Sequence, residues 1–465
     1  MLTEHITFLF MFVSDNVHLH MFSMKKQANG TYYTNRSFLR NFGVLMLILL
    51  TPPAAIVFWY TSQNLNGSFL ELFRFFGDEG FFKAIYQIWA PVFLGSKTAW
   101  IIIAVFAVTE IVLLKILPGK IVKGPITPNG YTPVYKNNGF YSFLTTLFLF
   151  WLFGFQLKIF NPAMIYNRFG EILGALNLFS WVFCLLLYFK GIYKPSTPDS
   201  GSSGNPLFDY YWGTDLYPHI FGINVKHFTN CRFGMMSWPV LILSFAAKQY
   251  EMYGFISDSM IVSVTLQLIY VGIFFYYESG YFNTMDIQED RAGYYIVWGV
   301  MVWIPAVYTL TSHYLVQHPV HLGYGFSAIL IITGIISFYT KTSMNRQRIN
   351  VRKNNGNYKI WGHTARIIKA EYKDEKGKKR ESILLVDGWW RVARHFHYVG
   401  EILGALCWSL PALFHNFMPY FYVFFLTILL FHRAKRDDVK CRLKYGKYWE
   451  EYCKTVPYKV IPGIY

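Results

Sequence analysis

Charged residues and cysteines are both scarce in this chain of 465 residues. Only 15% of the residues are Asp, Glu, Lys or Arg, whereas soluble domains carry about a quarter. The five cysteines are odd in number and form no Cys-x-x-Cys pair, so neither a disulfide framework nor a structural zinc site is expected. Cys184 and Cys407 lie in apolar runs and are predicted to be small buried side chains. The composition therefore argues against a soluble or metal-stabilised protein.

Acidic residues are especially few, because 26 Asp and Glu stand against 43 Lys and Arg, for a net charge of +17. Such a balance is typical of nucleic-acid-binding proteins and of proteins at an anionic membrane surface. Apolar residues make up 54% of the chain and aromatic residues 20%, and the cations gather in loops between apolar runs. We therefore expect the partner to be a lipid bilayer and not a nucleic acid.

Apolar runs of membrane-spanning length recur along most of the chain. A membrane helix needs about 20 apolar residues, and the candidate runs are 42–60, 98–116, 140–160, 171–190, 235–248, 256–277, 293–316 and 321–340. Two shorter runs, 399–413 and 417–431, predict a helical hairpin whose turn is bracketed by Pro411 and Pro419. The prediction is an all-α polytopic membrane protein with about ten transmembrane helices.

Four regions follow from this distribution. They are an N-terminal tail (1–40), a transmembrane bundle (41–340), a basic loop (341–398) and a C-terminal helical hairpin with a final helix (399–465). Positive-inside reasoning places the basic loop on the cytoplasmic side. Within it, alternating or β-branched residues at 366–372 and 382–386 flank Lys376-Gly377 and predict a small β-hairpin.

Two arginines follow the apolar run at 321–340. Arg348 and Arg352 are four residues apart, which places both guanidinium groups on one helix face. Two guanidinium groups side by side make a good phosphate site. Taken alone, such a pair more often anchors the preceding helix at the cytoplasmic surface, so both interpretations stay open.

A polar stripe marks the last helical segment. Residues at spacings of three, four and seven share one helix face, and here they are Asp437, Cys441, Lys444, Tyr445, Tyr448 and Tyr452. This face is too polar for a core. The alternative is a membrane-surface stripe whose tyrosines lie in the aromatic belt.

An aromatic and basic seam at 384–401 joins the loop to the next apolar run. Trp389 and Trp390 offer faces for a flat heterocycle. Arg394 offers a charge to an anion, and His397 and Tyr398 offer hydrogen bonds to an amide. Together with the arginine pair and the polar stripe, the seam predicts a cytoplasm-facing pocket for an anionic, aromatic cofactor. Interfacial anchoring is the alternative.

Polar residues also occur inside the apolar run 293–316, namely Tyr308, Thr309, Thr311, His313 and Tyr314. Polar groups at membrane depth usually face the interior of a helix bundle. Hydrogen bonding between helices is the commoner role for any one of them.

Longer motifs show a resemblance to a known family. LLVDGWWRVARHFHYVGE (384–401) and HRAKRDDVKCRLKYGKYWEEY (432–452) resemble the two C-terminal signatures of the sterol reductases, which are polytopic membrane enzymes. GPITPNG (124–130) and a block from Gly213 to Trp238 are similar to earlier motifs of that family. The resemblance runs from about Gly124 to the last residue.

The resemblance implies NADPH-dependent reduction of a sterol ring double bond, with the sterol in the bundle and the cofactor in the C-terminal half. Segments 243–249 and 456–465 are most similar to the branch that reduces the C7–C8 bond, and the Δ14 and Δ24 branches are alternatives. Carried over position by position, the NADPH contacts fall on Arg348, Arg352, Leu385, Trp390, His397, Tyr398, Asp437, Cys441, Lys444, Tyr445 and Tyr452.

Five positions depart from the pattern of the family. They are Arg348 for Lys, His397 for Asn, Asp387 for Ser, Arg391 for Gly and Phe233 for Pro. A guanidinium at 348 preserves the charge and would favour the 2′-phosphate of NADPH. The other changes would either tune the pocket or weaken the enzyme.

The implied reaction needs a proton donor. A ring C=C bond is barely polarised, so a proton must arrive before or together with hydride. The candidate catalytic donors are Asp437 and Tyr308, with Tyr314 as a third. Burial would keep the acid of Asp437 protonated and ready to transfer its proton.

Two other classes of protein stay open. A membrane methyltransferase of the isoprenylcysteine type is similar in outline, but its S-adenosylmethionine has no phosphate for Arg348 and Arg352. A non-catalytic sterol-binding membrane protein is the second, and the departures at Arg391 and His397 keep it open. The compartment would be the endoplasmic reticulum membrane in a eukaryote or the inner membrane in a bacterium.

Overall fold

The computed structural model describes residues 36–127, 129–373 and 379–465, so most of the tail expected at 1–40 lies outside the described residues. The described chain is mostly helical, and its strands form two-stranded antiparallel hairpins. It divides into two compact units. The first ends at Gly323 and also includes Pro411–Tyr422, and the second comprises Tyr324–Leu410 and Val423–Tyr465.

The first unit consists of helices joined by short turns and two small hairpins. Its helices are α1 (Arg36–Asn64), α2 (Phe69–Glu79), α3 (Phe81–Trp89), α4 (Lys97–Ile116), α5 (Gly139–Trp151), α6 (Met164–Asn167), α7 (Phe169–Tyr193), α8 (Pro206–Trp212), α9 (Val225–His227), α10 (Met235–Tyr253), α11 (Asp258–Tyr276), α12 (Glu278–Tyr281), α13 (Met285–Gln288), α14 (Tyr294–Trp298) and α15 (Leu310–Gln317). π-Helical segments occupy Leu152–Gln156, Phe228–Gly234 and Gly299–Tyr308, and a 3₁₀ turn occupies Met418–Tyr420. The hairpins pair β1 (Lys120–Lys123) with β2 (Val134–Asn137) and β3 (His219–Ile220) with β4 (Ile223–Asn224).

The second unit is built on one long helix. It contains α16 (Tyr324–Lys353), α17 (Trp389–Val392), α18 (Phe396–Ser409), α19 (Phe421–Tyr445, from Val423 onwards) and α20 (Lys447–Thr455). Its hairpins pair β5 (Lys359–Ile360) with β6 (His363–Thr364) and β7 (Ile367–Lys373) with β8 (Lys379–Leu385). α18 packs along α16 at close range, because a Cβ at Gly400 would lie 2.7 Å from the backbone oxygen of Ser337.

Local chemistry explains where several helices begin and where one is distorted. The hydroxyls of Ser96 and Ser257 cap α4 and α11 by accepting from the N–H groups three residues later. Pro305 lies inside the third π-helical segment, where its missing N–H removes an intrahelical hydrogen bond. The carbonyl of Pro305 accepts a hydrogen bond from the Thr309 hydroxyl at 2.5 Å. Such π-segments are frequent at functional sites.

Seven helices of the described chain are long and apolar enough to cross a membrane. They are Arg40–Asn64, Lys97–Ile116, Gly139–Gln156, Phe169–Tyr193, Asp258–Tyr276, Tyr294–Gln317 and Tyr324–Lys353. These candidate spans coincide with seven of the predicted runs and are consistent with a multi-pass membrane protein, but they do not confirm the predicted total of about ten. The run at 235–248 falls in α10. The apolar part of this helix is short, because it contains Pro239 and is followed by Lys248 and Glu251. The last two runs form α18, which has only 14 residues, and α19, whose C-terminal half is charged.

Two hydrophobic clusters organise the second unit around the β7–β8 hairpin. One contains Ala370, Leu384, Val386, Tyr445, Trp449, Tyr452 and Val456, and the other Met344, Val351, Ile360, Ala365, Leu385 and Trp390. The hairpin itself confirms the prediction, with Ile367 opposite Leu385 and Lys373 opposite Lys379. Its turn, including Lys376-Gly377, lies outside the described residues. The five cysteines are all free, and Cys184 and Cys407 are buried as expected.

Candidate functional site

The last turns of α16 carry the predicted arginine pair. The Arg348 guanidinium lies 4.8 Å from the centre of the Trp390 ring. Arg352 is exposed, and its Nε donates to the backbone oxygen of Ile383 in β8 at 3.2 Å. The spacing of four therefore directs one guanidinium to the buried tryptophan and the other to the hairpin.

Trp390 is held by the backbone of α16 and by a turn that needs glycine. Its Nε1 donates to the Met344 oxygen at 2.9 Å, and Leu385 packs in the same cluster. Gly388 has φ of 59°, and a Cβ there would lie 2.4 Å from Gln347 Oε1, so this turn requires glycine. The guanidinium of Arg348 lies over the Trp390 ring on which a heterocycle was expected to stack.

Asp387, where the family has Ser, is satisfied by surrounding donors. Its carboxylate accepts from the N–H of Gly388 at 2.8 Å, the N–H of Arg366 at 3.0 Å and Nε2 of His363 at 3.1 Å. Burial alone would raise the pKa of Asp387, but these contacts hold it below its ordinary value. The departure therefore stabilises the turn that precedes Trp390.

His395 joins the seam to the polar face of α19. Its Nε2 lies 3.5 Å from Asp437 Oδ2, and its ring stacks on Tyr398 at 5.1 Å. Burial lowers the pKa of His395 to about 4, an effect that Asp437 opposes and that Arg348 and Arg394 increase. The imidazole is therefore neutral at pH 7. His395 was not among the predicted cofactor contacts, although it lies in the seam beside Arg394.

His397 presents a buried polar atom with no partner. Its Nδ1 has no hydrogen bond among the described residues, and its ring lies 5.8 Å from Trp390 and 4.3 Å from Tyr398. Burial lowers the pKa of His397 well below its ordinary value, and His395 and Arg348 lower it further. An unpaired buried ring nitrogen costs free energy unless a ligand supplies its hydrogen bond.

The predicted polar face is observed only in part, because α19 ends at Tyr445 and the turn at Gly446 places Tyr448 and Tyr452 on α20. The expected burial of Asp437 is also wrong. Cys441 Sγ lies 3.8 Å from Asp437 Oδ2, so the two side chains share one side of the helix. The Asp437 side chain is 35% exposed and therefore not buried as expected, because it lies in the hydrophilic half of α19. Burial raises the pKa of the Cys441 thiol, Asp437 raises it further, and Lys444 and Arg352 act in the opposite direction.

Tyrosines complete this side of the unit. The Lys444 ammonium lies 4.4 Å from the Tyr372 ring and 5.1 Å from the Tyr445 ring. Tyr445 donates its hydroxyl to Ser382 Oγ at 3.3 Å. Tyr452 is buried and stacks on Trp449, while Tyr448 is only partly buried at the edge of the same cluster. Tyr372 belongs to this group, but it was not predicted because β7 lies outside the family signatures.

Three cations of the predicted set have no close counter-ion among the described residues, although Asp437 acts on the charge of Arg348 over a longer distance. Arg348, Arg352 and Lys444 make no ion pair with any carboxylate in the part of the chain that the structure describes. By contrast, other cations of the same unit are paired, namely Lys341 with Glu401 at 2.9 Å, Arg442 with Asp438 at 3.6 Å and Lys459 with Asp438 at 4.0 Å. Uncompensated cations beside aromatic rings are suited to an anionic ligand.

Tyr308, the other predicted proton donor, lies in the first unit, whereas Asp437 and all eleven predicted cofactor contacts lie in the second. Tyr308 ends the π-helical segment Gly299–Tyr308 and is half-buried among buried neighbours. Its ring contacts those of Trp238 at 5.3 Å and Tyr422 at 4.6 Å. Trp238 Nε1 in turn donates to Gln267 Oε1 at 2.7 Å. The contacts of Tyr308 with Trp238 and Tyr422 were not predicted.

The other polar residues of this run make contacts within the bundle. Thr311 donates to the Pro419 oxygen at 2.7 Å, and His313 Nδ1 lies 2.8 Å from the Ser62 hydroxyl. Asn416 donates to the Tyr314 hydroxyl at 3.1 Å. These contacts favour helix–helix hydrogen bonding as their role.

One cluster of metal-ligating side chains occurs in the described residues. His227, Cys231 and Glu278 are buried with their ligand atoms close together. Both carboxylate oxygens of Glu278 are, however, hydrogen-bonded by the Arg232 guanidinium. A cation beside the same carboxylate repels a metal ion, so we assign an ion pair here and not a metal centre. Arg232 belongs to the middle block that the sequence analysis matched, but Glu278 carried no signal of its own.

Comparisons with known proteins show the family of the chain. The model of the "Ergosterol biosynthesis ERG4/ERG24 family" matches residues 34–465. The chain is 50% identical over 426 residues to 7-dehydrocholesterol reductase of Arabidopsis thaliana, covering 91% of this chain and 97% of that protein. It is 36% identical over 374 residues to 7-dehydrocholesterol reductase of Xenopus laevis, covering 79% of each. It is 33% identical over 425 residues to Delta(14)-sterol reductase of Methylotuvimicrobium alcaliphilum, covering 91% of this chain and 95% of that protein.

Proposed function

Because this chain belongs to the ergosterol biosynthesis ERG4/ERG24 family of sterol reductases, we propose that it reduces the C7–C8 double bond of 7-dehydrocholesterol-type sterols with NADPH. The observation that carries the proposal is the group of three uncompensated cations, Arg348, Arg352 and Lys444, beside the aromatic residues of the second unit. The name and 50% identity of the Arabidopsis thaliana relative support the choice of double bond. The proposed compartment is the endoplasmic reticulum membrane in a eukaryote or the inner membrane in a bacterium.

The residues present fit NADPH. The three cations match the charge of a phosphate-rich dinucleotide, and the orphaned Nδ1 of His397 is suited to the carboxamide of a nicotinamide ring. Trp390, Tyr398 and the buried Leu385 would form the apolar surface around the ring. The chemistry that NADPH supplies when bound is a hydride.

The side chains of the protein would supply the proton. Asp437 would hold it at Oδ2, the oxygen that lies 3.5 Å from His395 Nε2. The partial exposure of Asp437 lets solvent return the proton after each turnover. Tyr308 is the second proposed donor, and the rings of Trp238 and Tyr422 fix its orientation.

Other functions have weaker support. Reduction of a Δ14 bond is the nearest alternative, because relatives of that name are 31–35% identical to this chain, and a Δ24 bond is a further one. A non-catalytic sterol binder would have no use for three uncompensated cations. A methyltransferase would bind S-adenosylmethionine, which has no phosphate for those cations to hold.

Sterol profiling by mass spectrometry tests the proposal. The full chain would be expressed in a yeast strain that accumulates Δ5,7-sterols, and loss of the Δ7 bond is the expected result. Asp437→Asn should lower the conversion by orders of magnitude. Asp438→Asn is the matched control, because Asp438 is bonded to Trp449 and Arg442 and lies outside the proposed site.

Two outcomes would contradict the proposal. An unchanged sterol profile with normal protein abundance would argue for another double bond or for a binding role. Full conversion by Asp437→Asn would remove Asp437 from the proton relay. If the wild-type protein is inactive, His397→Asn is the next variant, since it restores the usual residue of the family.

A further inference from the structure

Lys444 is held by aromatic rings and not by a carboxylate. Its ammonium lies within 5.1 Å of the ring centres of both Tyr372 and Tyr445, and the two rings meet edge to face at 84° with 5.6 Å between their centres. Ring faces attract a cation without neutralising it. Within the described residues, the charge of Lys444 thus remains available to a ligand.

The two tyrosines are themselves fixed by the β7–β8 hairpin. Tyr372 lies two residues after Ala370 and therefore on the same strand face, which packs against Tyr445 and Trp449. Ser382, which is opposite Ala370, accepts the Tyr445 hydroxyl at 3.3 Å. The hairpin therefore sets the place of the ammonium, although Lys444 itself belongs to α19.

Lys444 lies on a different part of the site from Arg348. Arg348 lies over Trp390, whose ring is 5.8 Å from that of His397, whereas Lys444 lies over the rings of Tyr372 and Tyr445. The second unit thus has a nicotinamide side around His397 and a second, more exposed cationic side around Lys444.

NADPH carries three phosphates, and three uncompensated cations are available for them. Arg348 and Arg352 lie one helical turn apart and suit the paired phosphates of a diphosphate. Lys444 comes from another element and suits a single separate phosphate as a point charge. We infer that Tyr372 is a positioning residue that holds Lys444 against the 2′-phosphate, so that this pocket selects NADPH over NADH. The inference rests on the proposed function and deepens it.

Direct binding tests the inference without turnover. The full chain, purified in detergent, would be titrated with 2′,5′-ADP and with 5′-AMP, which differ only in the 2′-phosphate. A charge-assisted hydrogen bond contributes about 1.5–3 kcal/mol, so wild type should bind 2′,5′-ADP at least tenfold more tightly than 5′-AMP. Lys444→Met should remove this preference and Lys444→Arg should keep most of it.

Tyr372→Leu should reduce the preference several-fold, whereas Tyr372→Phe, which keeps the ring face, should retain it. The affinity for 5′-AMP reports on the remainder of the site and should not change in either Tyr372 variant. A wild-type preference that survives in both Lys444→Met and Tyr372→Leu would overturn the inference, as would equal wild-type binding of the two nucleotides. Failure of wild type to bind NADPH or either nucleotide would instead contradict the proposed function. If Tyr372→Leu does not fold, the comparison of Lys444→Met with Lys444→Arg tests the inference, because the Lys444 side chain is exposed and its replacement should not prevent folding.

Discussion

At the scale of single residues, burial changes the chemistry that the sequence suggests. The buried His395 and the half-buried His397 have pKa values below the ordinary range, so both rings are neutral at pH 7. Asp437, which was expected to be buried, is instead partly exposed. The partial exposure of Asp437 suits a proposed proton donor that must take up a new proton from solvent. The low pKa of the buried His395 also makes folding depend on pH.

The buried His395 should destabilise the protein in acid. Its pKa falls from 6.5 unfolded to about 4 folded, so the unfolded chain binds more protons between these values. Stability contributed by the neutral ring is therefore present above pH 6.5 and is lost as pH falls towards 4, by roughly 2–3 kcal/mol. Asp437 and Asp438 oppose this loss, whereas Arg348 and Arg394 increase it.

Thermal unfolding in detergent between pH 7 and pH 4.5 measures the effect. His395→Gln should show a smaller loss of Tm over this range than wild type, because it removes the titrating ring. Equal losses of Tm in the two proteins would show that other groups account for the acid sensitivity.

At the scale of elements, the structure adds two arrangements that join distant segments. The π-helical segment Gly299–Tyr308 ends at a tyrosine packed against Trp238 and Tyr422. The Arg232–Glu278 ion pair links the segment before α10 to α12, and Gly139 N–H at the start of α5 also donates to Glu278 at 2.9 Å. The first arrangement holds the proposed proton donor Tyr308, and the second is expected to stabilise the first unit.

Tyr308→Phe should lower turnover by orders of magnitude while protein abundance stays unchanged, because it removes the proposed proton donor and keeps the packed ring. Tyr314→Phe is the matched control, since its hydroxyl is already engaged by Asn416 and only a small loss is expected. The measurement is the initial rate of sterol reduction per amount of folded protein. Wild-type turnover in Tyr308→Phe would remove this residue from the mechanism.

Glu278→Ala should destabilise the first unit strongly. Arg232 and Glu278 are both fully buried, and although burial opposes ionisation, Arg232 and His227 hold the pKa of Glu278 at about 2. Removing one partner of a buried pair leaves an uncompensated charge and costs about 3–5 kcal/mol. Tm and folded yield in detergent measure this cost. Glu251→Ala, which breaks an exposed pair with Lys248, should cost no more than about 1 kcal/mol.

At the scale of the whole molecule, the charge of the connecting segments predicts the number of membrane crossings. Positive-inside reasoning places Lys120 and Lys123 of the first hairpin and the basic loop after Lys353 on the cytoplasmic side. Five candidate spans lie between these two segments. An odd number of crossings would put these two basic segments on opposite sides of the membrane, so we predict that α10 also crosses it.

Cysteine labelling in sealed vesicles tests this topology. Lys123→Cys and Lys373→Cys, each placed in a chain with its five native cysteines replaced, should react with a membrane-impermeant maleimide from the same side. Asp78→Cys, which precedes the second candidate span, should react from the opposite side and serves as the control. Labelling of positions 123 and 373 from opposite sides would show that α10 does not cross.

The sequence by itself determined the features that depend on local periodicity. Seven spans, the hairpin from Ile367 to Leu385 and the shared helix face of Asp437 and Cys441 all follow from residue spacing along one segment. The family signatures added most members of the candidate site. Hydropathy and spacing are local properties, and they survive without knowledge of the neighbours in space.

Only the tertiary structure decided which groups are buried and which charges are paired. Arg232 and Glu278 are separated by 46 positions, and Tyr372 and Lys444 lie on a strand and a helix that no motif connects. The absence of a salt bridge at Arg348 and Lys444 is likewise visible only when every neighbouring carboxylate of the described chain is in place. Burial and charge compensation are sums over spatial neighbours, and for that reason spacing along the chain does not predict them.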